Sequence, residues 1–245
     1  MASYSSGRRP SRLAQPTITT RPIQRGGFAV CPNYAGGGSL RSVRIAISGS
    51  HSLGKSTVVN DWVAAHSGYI REEEPYRALG LFGPYEILFR DSSTRLHNGI
   101  QLYYNISRVH RYASSAADVI FDRAPVDYLA YSQFTADCHT TDIDDEFVAS
   151  MVPAVRESLD HLDILAFVPG SEVWPVEMEA DGIRPVDLVY RDTVDGIFKQ
   201  IYRDGRFDVM PAENAPLLVE LVGPREERLA QLQAAIVQRG GSALG

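Results

Sequence analysis

The chain has 245 residues and a formal net charge of −6, a length that predicts one domain with or without a tail. Residues 1–44 carry seven arginines and no acid, so the other 201 residues hold 17 basic and 30 acidic groups, a net of −13; such an acidic body makes nucleic acid an unlikely partner, because nucleic-acid binders present a basic patch. Two cysteines, Cys31 and Cys138, are too few for a disulfide framework or a cysteine zinc site, and no apolar run approaches the ~18 residues of a membrane span, so a cytoplasmic protein is expected.

Residues 1–41 read as a disordered basic tail, rich in Ser, Gly and Pro and ending near Gly36-Gly37-Gly38. Such a segment buries too little apolar area to offset its ordering entropy. Its arginines and lack of acids also fit a transit peptide. A domain is expected over 42–239, followed by a loose C-terminal end at 240–245. Within it, Val43 to Ile47 is a first strand, and 54–66 a helix with Val58, Val59, Trp62 and Val63 on one face. Gly68 to Arg71 is a second strand, stopped by Glu72-Glu73-Glu74-Pro75. Residues 94–117 form a long helix, with Leu102, Ile106, Val109, Ala113 and Ala116 as its apolar stripe and Gln101, Asn105 and Arg108 on a polar one. Val119 to Phe121 is a buried-type strand. A helix follows at 125–134, with Pro125 suited to its first turn, and another at 144–161. Ile164 to Val168 is a fourth strand, 171–186 a polar loop, 188–202 a helix, 217–222 the last strand and 224–238 the last helix. Strands alternating with helices predict an α/β fold: three layers, with a five-stranded, mostly parallel sheet and helices on both faces. Ligands in such sheets gather at the carboxyl ends of the strands.

One of those ends carries a complete motif. Gly49-Ser50-His51-Ser52-Leu53-Gly54-Lys55-Ser56 matches G-x-x-x-x-G-K-[ST] between a strand and a helix. The glycines let backbone N–H groups of 50–55 turn toward a phosphate, and the helix N-terminus adds positive dipole, with Thr57 inside its first turn. Lys55 is suited to neutralise β- and γ-phosphate oxygens, and the Ser56 hydroxyl to hold Mg²⁺. Val119-Ile120-Phe121-Asp122 has the form of a strand that delivers a carboxylate to the magnesium shell. Arg123 beside it reaches either a phosphate or a neighbouring acid. ATP and Mg²⁺ are therefore the expected cofactors. The absence of Asn-Lys-x-Asp favours ATP over GTP.

Beyond the phosphate loop, Glu74-Pro75, Asp122-Arg123-Ala124 and the lid-like Asp181-Gly182-Ile183-Arg184 with Arg191 carry a resemblance. They resemble the deoxynucleoside-kinase-like branch of P-loop kinases. Asp122 to Asp127, followed by Leu129-Ala130-Tyr131, is closer to the AAA-like group related to the ribosylnicotinamide kinase domain. The resemblance covers about 42–238. It implies the three-layer P-loop NTPase fold, with Glu74 as the base that takes the acceptor proton. It also implies lid arginines Arg184 and Arg191 on the transferred group, and Gln101, Asn105 and Arg108 along the acceptor. Glu72 and Glu73 stay open as alternatives to Glu74, since strand alternation sends Glu72 and Glu74 to one side and Glu73 to the other. Gly223-Pro224-Arg225 is placed to border the adenine, and Trp174 either covers a ligand or anchors packing. The expected function is transfer of the ATP γ-phosphate to a nucleoside-like hydroxyl. The alternative is an AAA-type regulatory NTPase without a small acceptor. Residues 125–160 are a candidate homodimer surface.

Overall fold

The computed structural model describes residues 42–81, 86–176 and 187–240. The expected tail over 1–41, the end over 241–245 and most of the expected lid, Arg184 included, lie outside the described residues.

Five strands form one sheet: β1 (Arg44–Ser48), β2 (Ile70–Glu72), β3 (Val119–Asp122), β4 (Ile164–Phe167) and β5 (Leu217–Glu220). The order is β2-β3-β1-β4-β5, and every pair is parallel. Parallel neighbours need crossovers, and helices supply them: α1 (Lys55–Ala65), α2 (Pro75–Gly80), α3 (Arg95–Arg111), α4 (Pro125–Cys138), α5 (Asp145–Leu159), α6 (Leu188–Arg203) and α7 (Arg225–Gln238).

The central strands are buried on both faces, and period-two alternation sorts their side chains between two cores. Ile45, Ile47, Ile120 and Ala166 join Val58, Val59 and Trp62 of α1 and Leu232 and Ile236 of α7. Ala46, Phe121, Leu165 and Phe167 join Leu102, Leu129, Val155 and Phe198 from α3 to α6. Large buried side chains such as Trp62 and Phe167 contribute about 1.5–3 kcal/mol each. Register then places the chemistry: Ile47 pairs with Asp122 and Ser48 with Phe167. The phosphate-loop strand and the acid-tipped strand therefore end side by side. Among the described residues no helix is long and apolar enough to cross a membrane.

Three helices differ from expectation, and α4 does so only by running on from 134 to Cys138. Helix α3 stops at Arg111, six residues early, so Ala113 and Ala116 leave its stripe. Tertiary bonds take over that stretch: Arg44 Nη1 donates to the Ala113 carbonyl (2.8 Å), Ser42 Oγ to the Ser115 carbonyl (3.0 Å), and Val43 N to Asp118 Oδ1 (2.7 Å). Helix α2 is additional. Pro75 sits at its first turn, the position where a missing N–H and a fixed φ are tolerated, so the acidic run that stops β2 also starts a helix.

Candidate functional site

The phosphate loop leaves β1 at Gly49, whose φ is +137°. A Cβ there would lie 2.6 Å from the Val168 carbonyl oxygen, so both conformation and space demand glycine. Ser50 Oγ donates to the Arg191 carbonyl (2.8 Å), tying the loop to α6. His51 is buried, with its ring 4.7 Å from that of Tyr190. Ser52 takes a left-handed φ of +54°, Leu53 enters the core, and Gly54 at φ +89° starts α1. The Lys55 ammonium, 3% exposed, donates to the Ser50 carbonyl.

Asp122 is almost fully buried. Burial pushes its carboxyl above the ordinary value, against the pull of a Ser56 hydrogen bond and the Arg71 charge. Its Oδ2 lies 3.5 Å from Arg71 Nη2, and its Oδ1 has no hydrogen-bond partner among the described residues. A hydroxyl and a carboxylate with a spare buried oxygen form a hard-oxygen donor set, which suits Mg²⁺.

Beside the loop lies a cavity of about 300 Å³, lined by His51, Glu74, Phe89, Arg90, Gln101, Arg123, Tyr128, Tyr131 and Tyr190, among others. Glu74 and Arg123 form a buried ion pair there: Glu74 Oε1 accepts from Arg123 Nη2 (2.5 Å) and Nε (3.0 Å). Arg123 Nε also lies 3.8 Å from Asp127 Oδ2, and Arg123 holds φ at +127°. That region is costly for a side-chain-bearing residue and persists only where surroundings enforce it. Across the cavity, the Arg90 guanidinium lies 4.7 Å over the Tyr190 ring and 3.1 Å from Asp187.

The three adjacent acids separate by geometry. Glu72 accepts from Arg108 Nε (2.7 Å) and the Tyr112 hydroxyl (2.6 Å), bracing β2 against α3. Glu73 accepts from Arg71 (3.1 Å) and from the Glu74 N–H (3.0 Å). Only Glu74 of the three lines the cavity. Strand alternation does not relate it to Glu72, because β2 ends at Glu72.

The expected polar stripe divides in the same way. Gln101 lines the cavity, whereas Asn105 Nδ2 donates to the Arg123 carbonyl (3.3 Å) from beneath. Arg108 bonds Glu72 at the sheet edge and does not line this cavity. Arg191 bonds the Val176 carbonyl (2.9 Å) and Asp192 (2.9 Å), and does not line this cavity. Arg225 pairs with Asp61 and borders a second cleft of about 380 Å³ with Gly54, Thr57, Trp174, Gly223 and Arg228. Sequence reading missed Phe89 and Arg90, from the turn before α3, Tyr128 of α4 and Tyr190 of α6, which meet only in the fold.

It also missed the network behind Arg123. Asp127 is fully buried; Ser48 Oγ donates to its Oδ1 (2.6 Å), and Ser48 Oγ lies 2.6 Å from the Tyr202 hydroxyl. Burial pushes the Asp127 carboxyl up to about 7, against the opposing pull of Arg123 and the Ser48 bond. A folded-state pKa above the unfolded value means that the native state binds the extra proton, so this contribution is present below about pH 4 and is lost as pH rises toward 7. The melting temperature of the wild type should therefore fall relative to that of Asp127→Asn between pH 4.5 and 8, as read by calorimetry. Parallel curves for the two proteins would remove Asp127 as the titrating group.

A family model described as an AAA domain matches residues 44–217. No curated protein matches the chain by sequence. Among solved structures, a NadR protein in complex with NR is similar at 17% identity and a TM-score of 0.56, over 82% of this chain and 52% of that one. A NadR protein in complex with NAD and AMP-PNP is similar at 16% identity and a TM-score of 0.53, over 83% and 51%. The chain thus spans about half the length of the NadR chains it matches, and at these identities the likeness establishes the fold. With its complete phosphate-loop motif on an all-parallel five-stranded sheet, the chain belongs to the AAA domain family and has the P-loop kinase or ATPase fold.

Proposed function

We propose that the protein is an ATP-dependent phosphotransferase that moves the γ-phosphate of Mg·ATP to a hydroxyl of a nucleoside-like small molecule. One observation carries the reading. His51 belongs to the phosphate loop and also lines the cavity holding the Glu74–Arg123 pair, so donor and acceptor sites adjoin. The cavity's size fits a small ligand, and Phe89, Tyr128, Tyr131 and Tyr190 offer flat faces to a ring.

The parts then take roles. Backbone amides of residues 50–55 cradle the triphosphate, Lys55 neutralises its terminal oxygens, Thr57 in the first turn of α1 adjoins the phosphates, and Arg225 borders the nucleoside side. Ser56 and Asp122 would hold Mg²⁺, which when bound supplies further charge neutralisation along the phosphates. Gln101 hydrogen-bonds the acceptor, Asn105 supports Arg123 from below, and Arg108 acts at a distance by holding β2. Glu74 accepts the proton of the attacking hydroxyl as its oxygen bonds the γ-phosphorus and the bond to ADP breaks. Arg123 holds Glu74 aimed until then. Arg191 and Arg184 would neutralise charge on the transferred group.

The test is ADP release from Mg·ATP, alone and with a panel of nucleosides. One similar NadR structure holds NR, so nicotinamide riboside heads the panel. The expected result is a several-fold rise with one acceptor and appearance of its phosphorylated product. Turnover indifferent to every acceptor would overturn the acceptor assignment in favour of a regulatory NTPase.

A further inference from the structure

Helix α7 contributes a group that the proposed mechanism leaves unused. Arg228 is 6% exposed. Its Nη1 donates to the Leu53 carbonyl (2.8 Å) and its Nε to the Gly223 carbonyl (3.0 Å). It therefore bridges the phosphate loop and the turn after β5. Its Nη1 lies 3.1 Å from where a Cβ on Gly54 would stand, so the guanidinium packs across the second loop glycine.

These bonds satisfy donors but not charge. Arg228 forms no ion pair among the described residues, and no carboxylate lines its cleft. The equally buried Arg123 has Glu74, and Arg225 in the same cleft has Asp61. Consistently, burial lowers the Arg228 pKa with no neighbouring acid opposing it. Burying an ion without a counter-charge costs several kcal/mol, and a neutral side chain could have held the two carbonyls. Lys55 repeats the pattern, its ammonium on the Ser50 carbonyl of the same loop. Two buried cations, one from the loop and one from α7, thus bond carbonyls of one loop with no acid paired to them among the described residues.

We infer that Arg228 is a nucleotide-binding residue: its buried guanidinium, in the cleft beside Gly54 and Thr57, supplies positive charge that a phosphate group of the nucleotide completes. The inference rests on the nucleotide-binding reading above. It assigns to α7 a role in discriminating anionic ligands, additional to the loop lysine.

The experiment is titration calorimetry of ATP and of adenosine into the full chain at low and high salt, for the wild type, Arg228→Gln and Arg228→Lys. Arg228→Gln should weaken ATP about tenfold to hundredfold, leave adenosine unchanged, and reduce the salt dependence of ATP binding. Arg228→Lys keeps the charge and should retain more ATP affinity than Arg228→Gln. Equal losses for ATP and adenosine would show a purely structural role and overturn the inference, as would unchanged ATP affinity. Should Arg228→Gln fail to fold, Arg228→Met, which also removes the charge, takes its place: a loss confined to ATP supports the inference, and equal losses or an unchanged ATP affinity overturn it. A wild type that binds no nucleotide would overturn the functional reading as well, whereas wild-type binding with insensitive variants overturns the inference alone.

Discussion

Lys55→Ala should lower nucleotide turnover by about 10²–10³-fold, the range typical of losing one preorganised charge-stabilising group, with the fold intact. The side chain is buried with its ammonium on a loop carbonyl. Nothing else in that loop is cationic, so no other residue of the loop replaces it on the terminal phosphates. The sign of the stability change makes the result specific. Removing a buried cation that forms no ion pair among the described residues relieves a desolvation penalty. The melting temperature without nucleotide should therefore stay level or rise, while the increase produced by ATP shrinks. Calorimetry with and without Mg·ATP, beside steady-state ADP release, checks both. A variant that turns over ATP at the wild-type rate would remove Lys55 from the chemistry.

The largest stability effect is expected at Arg123. Its guanidinium serves two buried carboxylates, Glu74 at 2.5 Å and Asp127 at 3.8 Å. Arg123→Met leaves both acids without the cation they share. Breaking a buried pair in this way costs about 3–5 kcal/mol, a fall in Tm of about 6–20 °C for a domain of this size. Glu74→Gln should be milder, because Arg123 retains Asp127 and the glutamine oxygen can still accept a hydrogen bond. The double variant should lose less than the sum of the two, since Glu74 is then no longer a buried charge deprived of Arg123, while Asp127 loses its cation in both. The same pair separates stability from chemistry: Glu74→Gln should abolish acceptor-stimulated turnover while ATP affinity persists. Additive losses in the thermal cycle, or acceptor turnover that survives Glu74→Gln, would remove the pair from the proposed acceptor site.

The three acids show where sequence reading stops. Glu72, Glu73 and Glu74 are identical in type and adjacent in the chain, and strand alternation was the one local rule available to separate them. That rule lapses where β2 ends and Pro75 opens α2. What separates them lies far along the chain: Arg108 and Tyr112 on Glu72, Arg123 on Glu74. The same holds for the stripe on α3. Helical spacing placed Gln101, Asn105 and Arg108 on one face, but that face spans a cavity wall, the underside of Arg123 and a sheet edge.

By itself, the sequence determined the order of the five strands and of the helices other than α2, the phosphate loop between β1 and α1, and the acid at the end of β3. Each is written locally: apolar runs of strand length, helical periodicity, and glycines spaced for a backbone that must approach a phosphate. Tertiary structure alone decided which acid meets Arg123, that His51 packs on Tyr190, that Asp127 is buried within 3.8 Å of the same Arg123, and that Arg228 stands across the phosphate loop without a counter-charge among the described residues. The partners Leu53 and Arg228 are separated by 175 residues, and Glu74 and Arg123 by 49. No window of local sequence contains both members. Burial and charge balance are properties of the packed assembly, and they become fixed only when the sheet brings its strand ends together.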